Sequence, residues 1–293
     1  MRQALQLGLR LPAFLVWTLL GLFWAVTGFR FLSRPYRQLS IRIFARGVLW
    51  LCGVRLGPNL QGLSAELAKR VPSPSLVVAN HISWLDIFLV HAVLPATFIA
   101  KSEIRSWPLA GLLVQASGTI FVERGNRHAV RSLMKEAMAR LDLGERVIFF
   151  PEGTTSRGES VLKFHTSLFG LAEQRSDLAV VPMTLFYSRA TRADGAAVTL
   201  PPTDATARNP ILQAMQQVAY VDDMTLVGSM IQIMGRPGLQ ADALVHTALT
   251  PEGRSRQELA DLAYEAVRAG LEERLSMAGC WKMASSSYLT ADR

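Results

Sequence analysis

The run Ser75–Leu76–Val77–Val78–Ala79 is short, apolar and β-branched, and it stops abruptly at Asn80–His81–Ile82–Ser83–Trp84–Leu85–Asp86. An apolar run of that length, bounded by polar residues, reads as a buried strand. A new apolar run follows, so the polar stretch lies at a strand-to-helix corner, where α/β proteins carry their chemistry. From about residue 70 the pattern repeats, with strands expected at 75–79, 97–100, 118–122, 146–150 and 179–186 and weaker candidates at 196–200 and 216–221. Between them Val130, Leu133, Met134, Ala137 and Leu141 recur at helical spacing, and Gly144 supplies the stop. This alternation predicts an α/β fold with a mostly parallel central sheet flanked by helices.

The spacing within the first corner constrains its chemistry. On an uninterrupted helix five residues turn the chain by about 500°, so His81 and Asp86 would point about 140° apart. They meet only if His81 lies in the loop and Asp86 in the first helical turn. There the carboxylate can fix the imidazole tautomer and leave the other ring nitrogen free as a base. The same residues also fit a plain loop histidine and a helix-start acid that complements the dipole.

A second corner follows Arg146–Val147–Ile148–Phe149–Phe150, at Pro151–Glu152–Gly153–Thr154–Thr155–Ser156. Backbone amides freed by Gly153 can cradle an oxyanion or phosphate, and Glu152 can hold a polar substrate group. Pro251–Glu252–Gly253 repeats the tripeptide with no strand before it, so on its own this stretch also fits an ordinary polar loop.

Taken together the two corners are specific. Asn80, His81 and Asp86 fit an N-H-x-x-x-x-D block. Gly118–Thr119–Ile120–Phe121–Val122–Glu123–Arg124, Phe150–Pro151–Glu152–Gly153–Thr154 and Val180–Val181–Pro182–Met183 follow it in order. These four blocks resemble those of the PlsC-like glycerolipid acyltransferases, the family typified by 1-acylglycerol-3-phosphate acyltransferase, across about residues 70 to 240. The resemblance implies acyl transfer from an acyl carrier protein or coenzyme A thioester to the free hydroxyl of a lysolipid. In that reading His81 is the base and Asp86 its orienter, while Glu152, Gly153 and Thr154 serve the substrate. Arg124 is the first candidate for the headgroup. Lys101, at the end of the strand 97–100, is a second cation within reach.

One position departs from the family pattern. Members that form phosphatidic acid usually carry arginine after Glu-Gly-Thr, and this chain has Thr155. A lost guanidinium removes a bidentate phosphate partner. Lysophosphatidate is the first expected acceptor, and lyso-ornithine lipid, whose headgroup has no phosphate, is the alternative.

Acyl transfer of this kind needs a base, a stabilised oxyanion and exclusion of water, with the acceptor supplying the nucleophile. No Gly-x-Ser-x-Gly elbow occurs, and neither Cys52 nor Cys280 sits in a nucleophile context. His91, His128, His165 and His246 are scattered without ligand spacing, so neither a metal nor another cofactor is expected. A lipid-binding membrane protein without turnover is the reading from a different class; it has no need of an oriented base.

Leu11 to Phe29 is an uncharged run of 19 residues, long enough to reach across a bilayer. Arg30, Arg34, Arg37, Arg42 and Arg46 follow it, which puts the main body on the cytoplasmic face of the inner membrane if the run spans. A second apolar segment at 39–54 makes a membrane-embedded hairpin the alternative, and a core helix fits that segment too. Residues 1–56 are therefore expected as membrane-associated helices, 57–278 as the catalytic domain and 279–293 as a disordered tail. A net charge of +8 with 18% charged residues suits an anionic leaflet and an anionic donor, and no basic-aromatic repeat points to nucleic acid.

Overall fold

The computed structural model describes residues 2–60, 69–123, 127–189 and 209–288. Seven strands form one sheet: β1 (Val54–Leu56), β2 (Ser75–Ala79), β3 (Thr97–Lys101), β4 (Ile120–Val122), β5 (Arg146–Phe149), β6 (Ala179–Arg189) and β7 (Leu239–Val245). Their order across the sheet is β1-β7-β6-β2-β5-β3-β4. All neighbouring pairs are parallel except β6 and β7, which run antiparallel. The expected mostly parallel sheet is therefore present.

The helices are α1 (Arg2–Thr27), α2 (Arg34–Leu51), α3 (Leu85–Val93), α4 (Ala110–Ala116), α5 (Arg127–Asp142), α6 (Gly170–Glu173), α7 (Pro210–Val218), α8 (Leu226–Met234) and α9 (Arg256–Tyr288). Helix α5 carries the apolar stripe read from the sequence, with Leu133, Ala137 and Leu141 buried. Gly144, at φ +74°, takes the left-handed turn that closes it. Helix α9 starts on a capping box: Glu258 Oε2 accepts from Ser255 N at 2.7 Å, and Glu258 N donates back to Ser255 Oγ at 3.3 Å.

Strand β2 is the hub, buried at all five positions, with β5 on one side and β6 on the other. The chain leaves β2 toward β3 on one side and returns from β5 across β2 to β6 on the other, so the carboxyl ends of β2, β5 and β6 border a topological switch point. Open α/β sheets place ligand sites at such points.

Three expectations are corrected. The segment 216–221 is not a strand: residues 216–218 are the last turn of α7, a helix that Asn209 caps at its start by accepting from Ile211 N at 2.9 Å. Strands β1 and β7 went unrecognised; their runs are short or broken by polar residues, and only tertiary pairing reveals them. Helix α9 continues past Gly279 to Tyr288, into the segment expected to be disordered. The candidate strand 196–200 lies outside the described residues.

Helices α1 and α2 form a tight hairpin. The Trp17 ring stacks on Phe44 at 6.1 Å, and its Nε1 donates to the Phe44 carbonyl at 3.1 Å. Each ring lies over a glycine of the other helix, Trp17 over Gly47 and Phe44 over Gly21, leaving no room for a Cβ at either glycine. On its other side α2 packs against α3, and Ala45, Val48 and Leu49 join the main core. The second segment is thus hairpin arm and core helix at once.

Candidate active site

The strand-to-helix corner has the predicted form. His81 lies in the loop after β2, and Asp86 lies in the first turn of α3, fully buried. His81 Nδ1 and Asp86 Oδ2 are 2.8 Å apart. The same oxygen accepts from Ile82 N at 2.7 Å and Ser83 N at 2.9 Å, so the carboxylate also closes the turn that separates it from His81. Trp84 gives α3 no side-chain cap; the Ser83 hydroxyl accepts from the first helical amide, Leu85 N, at 3.3 Å.

Two groups that the sequence did not disclose complete this corner. The Tyr187 hydroxyl, fully buried on β6, donates to Asp86 Oδ1 at 2.7 Å. Burial, together with the Asp86 carboxylate, holds the Tyr187 phenol well above its ordinary range, so it stays a donor. The Phe150 ring stacks on the imidazole at 3.9 Å between centroids and 5° between planes. With Nδ1 on Asp86 and one ring face on Phe150, Nε2 is left without a partner among the described residues, and the His81 side chain keeps 19% of its surface. A donor-laden carboxylate holding one nitrogen is the arrangement that makes the other a general base. Asn80 anchors the corner from below, exchanging two hydrogen bonds with the Leu185 backbone at 3.0 and 2.7 Å.

The second corner is clasped to the first. Glu152 Oε1 accepts from His81 N at 2.8 Å, and Oε2 accepts from Leu162 N at 3.0 Å. Ser156 N donates to the His81 carbonyl at 2.8 Å, and Tyr220 N donates to the Ile82 carbonyl at 3.0 Å. Burial pushes the Glu152 carboxyl up to about 8, against the two amides, which pull it down. Both Glu152 oxygens face backbone rather than open space, and the residue is 4% exposed. This placement makes it a brace between the corners, where the sequence reading had it hold a substrate group.

Gly153 adopts φ +70°, which favours glycine, and its N–H turns back to the Phe150 carbonyl at 3.1 Å. The next two backbone amides, of Thr154 and Thr155, have no partner among the described residues. The Thr155 hydroxyl donates to the Tyr220 carbonyl, while Thr154 is exposed. Lys101 ends β3 on the same edge of the sheet as His81, half-buried and engaged by a neighbour. Arg124 lies outside the described residues.

A mostly parallel sheet thus carries an oriented imidazole at its switch point, with the Pro151–Ser156 corner clasped beside it. The acyltransferase family model matches residues 64–185. A lyso-ornithine lipid O-acyltransferase of Pseudomonas aeruginosa is 34% identical over 198 residues, which is 68% of each chain. This chain belongs to the acyltransferase family. A 1-acyl-sn-glycerol-3-phosphate acyltransferase of Neisseria gonorrhoeae is 46% identical over 98 residues, covering 33% of this chain and 38% of that one. The crystal structure of a 1-acyl-sn-glycerophosphate acyltransferase, PlsC, from Thermotoga maritima shares the fold at a TM-score of 0.53. It is 24% identical and covers 90% of this chain and 97% of that chain.

Proposed function

We propose that this protein is a membrane-held lysolipid O-acyltransferase in which His81 is the general base and Asp86 its orienter. The 2.8 Å contact between His81 Nδ1 and Asp86 Oδ2 carries the reading, because it leaves Nε2 directed away from the carboxylate. In the reaction Nε2 takes the proton of the acceptor hydroxyl as that oxygen attacks the thioester carbonyl. The tetrahedral oxyanion then collapses and expels the thiolate, to which the imidazolium returns the proton. The Thr154 and Thr155 amides, without a partner among the described residues, are assigned to the substrate anion. The donor is an acyl carrier protein or coenzyme A thioester, both acidic partners for a chain of net charge +8.

The acceptor reading is lyso-ornithine lipid. Thr155 stands where phosphatidate-forming members have arginine, and its hydroxyl is spent on Tyr220. The relative matched over the longer stretch is the lyso-ornithine enzyme. Lysophosphatidate is the second reading, carried by the 46% identity to the Neisseria enzyme.

The hairpin is the membrane element. Gln6–Thr27 has a mean hydropathy of 1.7 and none of its most apolar stretch is buried, and Leu15, Leu19, Phe23 and Ile43 face outward. Helix α1 nevertheless touches the domain near both ends. Arg10 donates to the Met234 carbonyl at 3.4 Å, and just beyond its far end Arg34 donates to the Leu143 carbonyl at 3.0 Å. The Arg10 contact near the start of α1 and the packing of α2 on the domain support a hairpin that lies in the near leaflet over a free span.

Detergent-purified protein supplied with a labelled acyl carrier protein thioester and either lysolipid tests the proposal. The parent should acylate one of them, and His81→Ala should give no product while floating with vesicles as the parent does. Residual turnover within a few-fold of the parent overturns the base assignment and favours a lipid binder without catalysis.

A further inference from the structure

The end of the sheet opposite His81 carries a second charged feature. Ser73 before β2, Thr97 at the start of β3 and Arg146 at the start of β5 border a cleft of about 610 Å³ beneath the α1–α2 link. Five arginines line it, Arg34, Arg37, Arg42, Arg140 and Arg146, against the single carboxylate of Glu145. That carboxylate is already committed. It lies 3.0 Å from Arg34 Nη2 and 3.7 Å from Arg140 Nη1, and it accepts from the Thr97 hydroxyl.

Arg146 is engaged by neighbours, its Nε donating to the Val71 carbonyl at 2.9 Å, whereas Arg37 and Arg42 have no ion pair among the described residues. Arg37 gives only Nε, to the Leu32 carbonyl at 3.1 Å. Arg42 has no hydrogen bond or ion pair among the described residues. His91, 8% exposed, lines the same cleft, and its Nε2 has no hydrogen-bond partner among the described residues. Helix α2 begins here too, with no side chain capping its first amides. Like charges gathered in a partly desolvated cleft repel unless an anion joins them, and a helix N-terminus adds donors for that anion.

We propose that this cleft is a second anion site, which takes a phosphate ester. Arginine forks match phosphate oxygens two at a time, and Arg37 and Arg42, which diverge by about 140° on α2, can reach a phosphate ester from the two flanks of the cleft. The walls are also apolar, at Phe29, Leu32 and Ile41, and Phe31 and Leu39 stand exposed beside it on the hairpin. That pairing of charge and apolar rim suits the headgroup of an anionic phospholipid, with its chains along the hairpin; free phosphate shares the headgroup chemistry. The site uses none of the residues assigned to acyl transfer and stands or falls separately.

The thermal-unfolding midpoint of the detergent-purified full chain provides the test. Short-chain phosphatidylglycerol, phosphatidylcholine of the same chain length and inorganic phosphate are each titrated against the parent and against Arg37→Gln/Arg42→Gln. Phosphatidylglycerol should stabilise the parent saturably, and phosphatidylcholine, whose choline cancels the charge, should do so less. In the double variant the half-saturating concentration should rise at least about tenfold, as expected for lost charge-assisted hydrogen bonds, with turnover unchanged. Inorganic phosphate that saturates the response and blocks the lipid identifies free phosphate as the occupant. An unaltered phosphatidylglycerol response in the variant, or equal responses to both lipids, overturns the proposal. Retained turnover reports folding, and Arg42→Gln beside Arg42→Lys gives the same comparison with a single, less disruptive change.

Discussion

The Tyr187 hydroxyl sits 2.7 Å from Asp86 Oδ1, on the opposite side of the carboxylate from His81. Asp86 therefore accepts four hydrogen bonds from protein groups: one from tyrosine, two from backbone amides and one from imidazole. Tyr187 touches no reacting atom in this arrangement. It is a positioning residue, acting through Asp86. Tyr187→Phe should lower kcat about tenfold, the size expected for one buried charge-assisted hydrogen bond, with KM nearly unchanged. The acid limb of the kcat/KM profile should also move to higher pH, since a carboxylate with one donor fewer holds the imidazolium proton more tightly. A rate loss with no movement of that limb would mean that Tyr187 only fills space.

Asp86→Asn tests the orienter itself. The amide oxygen can still serve the Ile82 and Ser83 amides, but the group facing Nδ1 is no longer a charged acceptor. Turnover should fall about a thousandfold or more, as when a catalytic imidazole loses its fixed tautomer. The unfolding midpoint should change much less than the rate. An unchanged rate would reduce Asp86 to the closure of the β2–α3 turn.

Much of this corner was legible because it is local in sequence. His81, Asp86 and the β2–α3 turn follow from the run lengths on either side, and the capping box of α9 follows from Ser255 and Glu258. Tyr187 was not legible, since it reaches Asp86 only through the β2–β6 pairing across 101 residues. Glu152 was seen as polar and near the site, but the partners of its two oxygens are backbone amides, which no side-chain pattern announces. Strand β7 was missed for the same reason: its pairing with β6 is what makes it a strand.

Glu152 gives a pH prediction with a definite sign. Its carboxyl is raised from 4.5 to about 8, so between those values the folded chain binds a proton that the unfolded chain releases. The stability it contributes is full below pH 4.5 and is lost as pH rises through about 8. The unfolding midpoint of the parent should fall across that window more steeply than that of Glu152→Gln, which cannot titrate. Parallel curves would show that the two amide donors keep Glu152 ionised throughout.

Thr155→Arg addresses acceptor choice. A guanidinium at this position restores the residue usual in phosphatidate-forming members. The ratio of lysophosphatidate to lyso-ornithine turnover should rise at least about tenfold, the worth of a charge-assisted pair. A ratio that stays fixed would remove Thr155 from the account of specificity.

The hairpin seam predicts a contrast between two glycines on the N-terminal helices. A Cβ at Gly47 collides with the Trp17 ring, whereas one at Gly8 meets nothing within 4 Å. Gly47→Ala should destabilise by about 1–3 kcal/mol through overpacking, and Gly8→Ala should be neutral or slightly stabilising. Equal unfolding midpoints would mean that the two helices slide freely on each other.

That seam reaches beyond stability. Through Gly47 and Trp17, then through Ala45, Val48 and Leu49 against α3, the lipid-facing arm is keyed to the very helix that carries Asp86. On the proposed membrane placement the hairpin would work as a gauge: how deep it settles in the leaflet would set the height at which His81 meets an acceptor hydroxyl. An unrelated anchor of equal hydrophobicity would hold the enzyme at the membrane and still leave its base at the wrong depth.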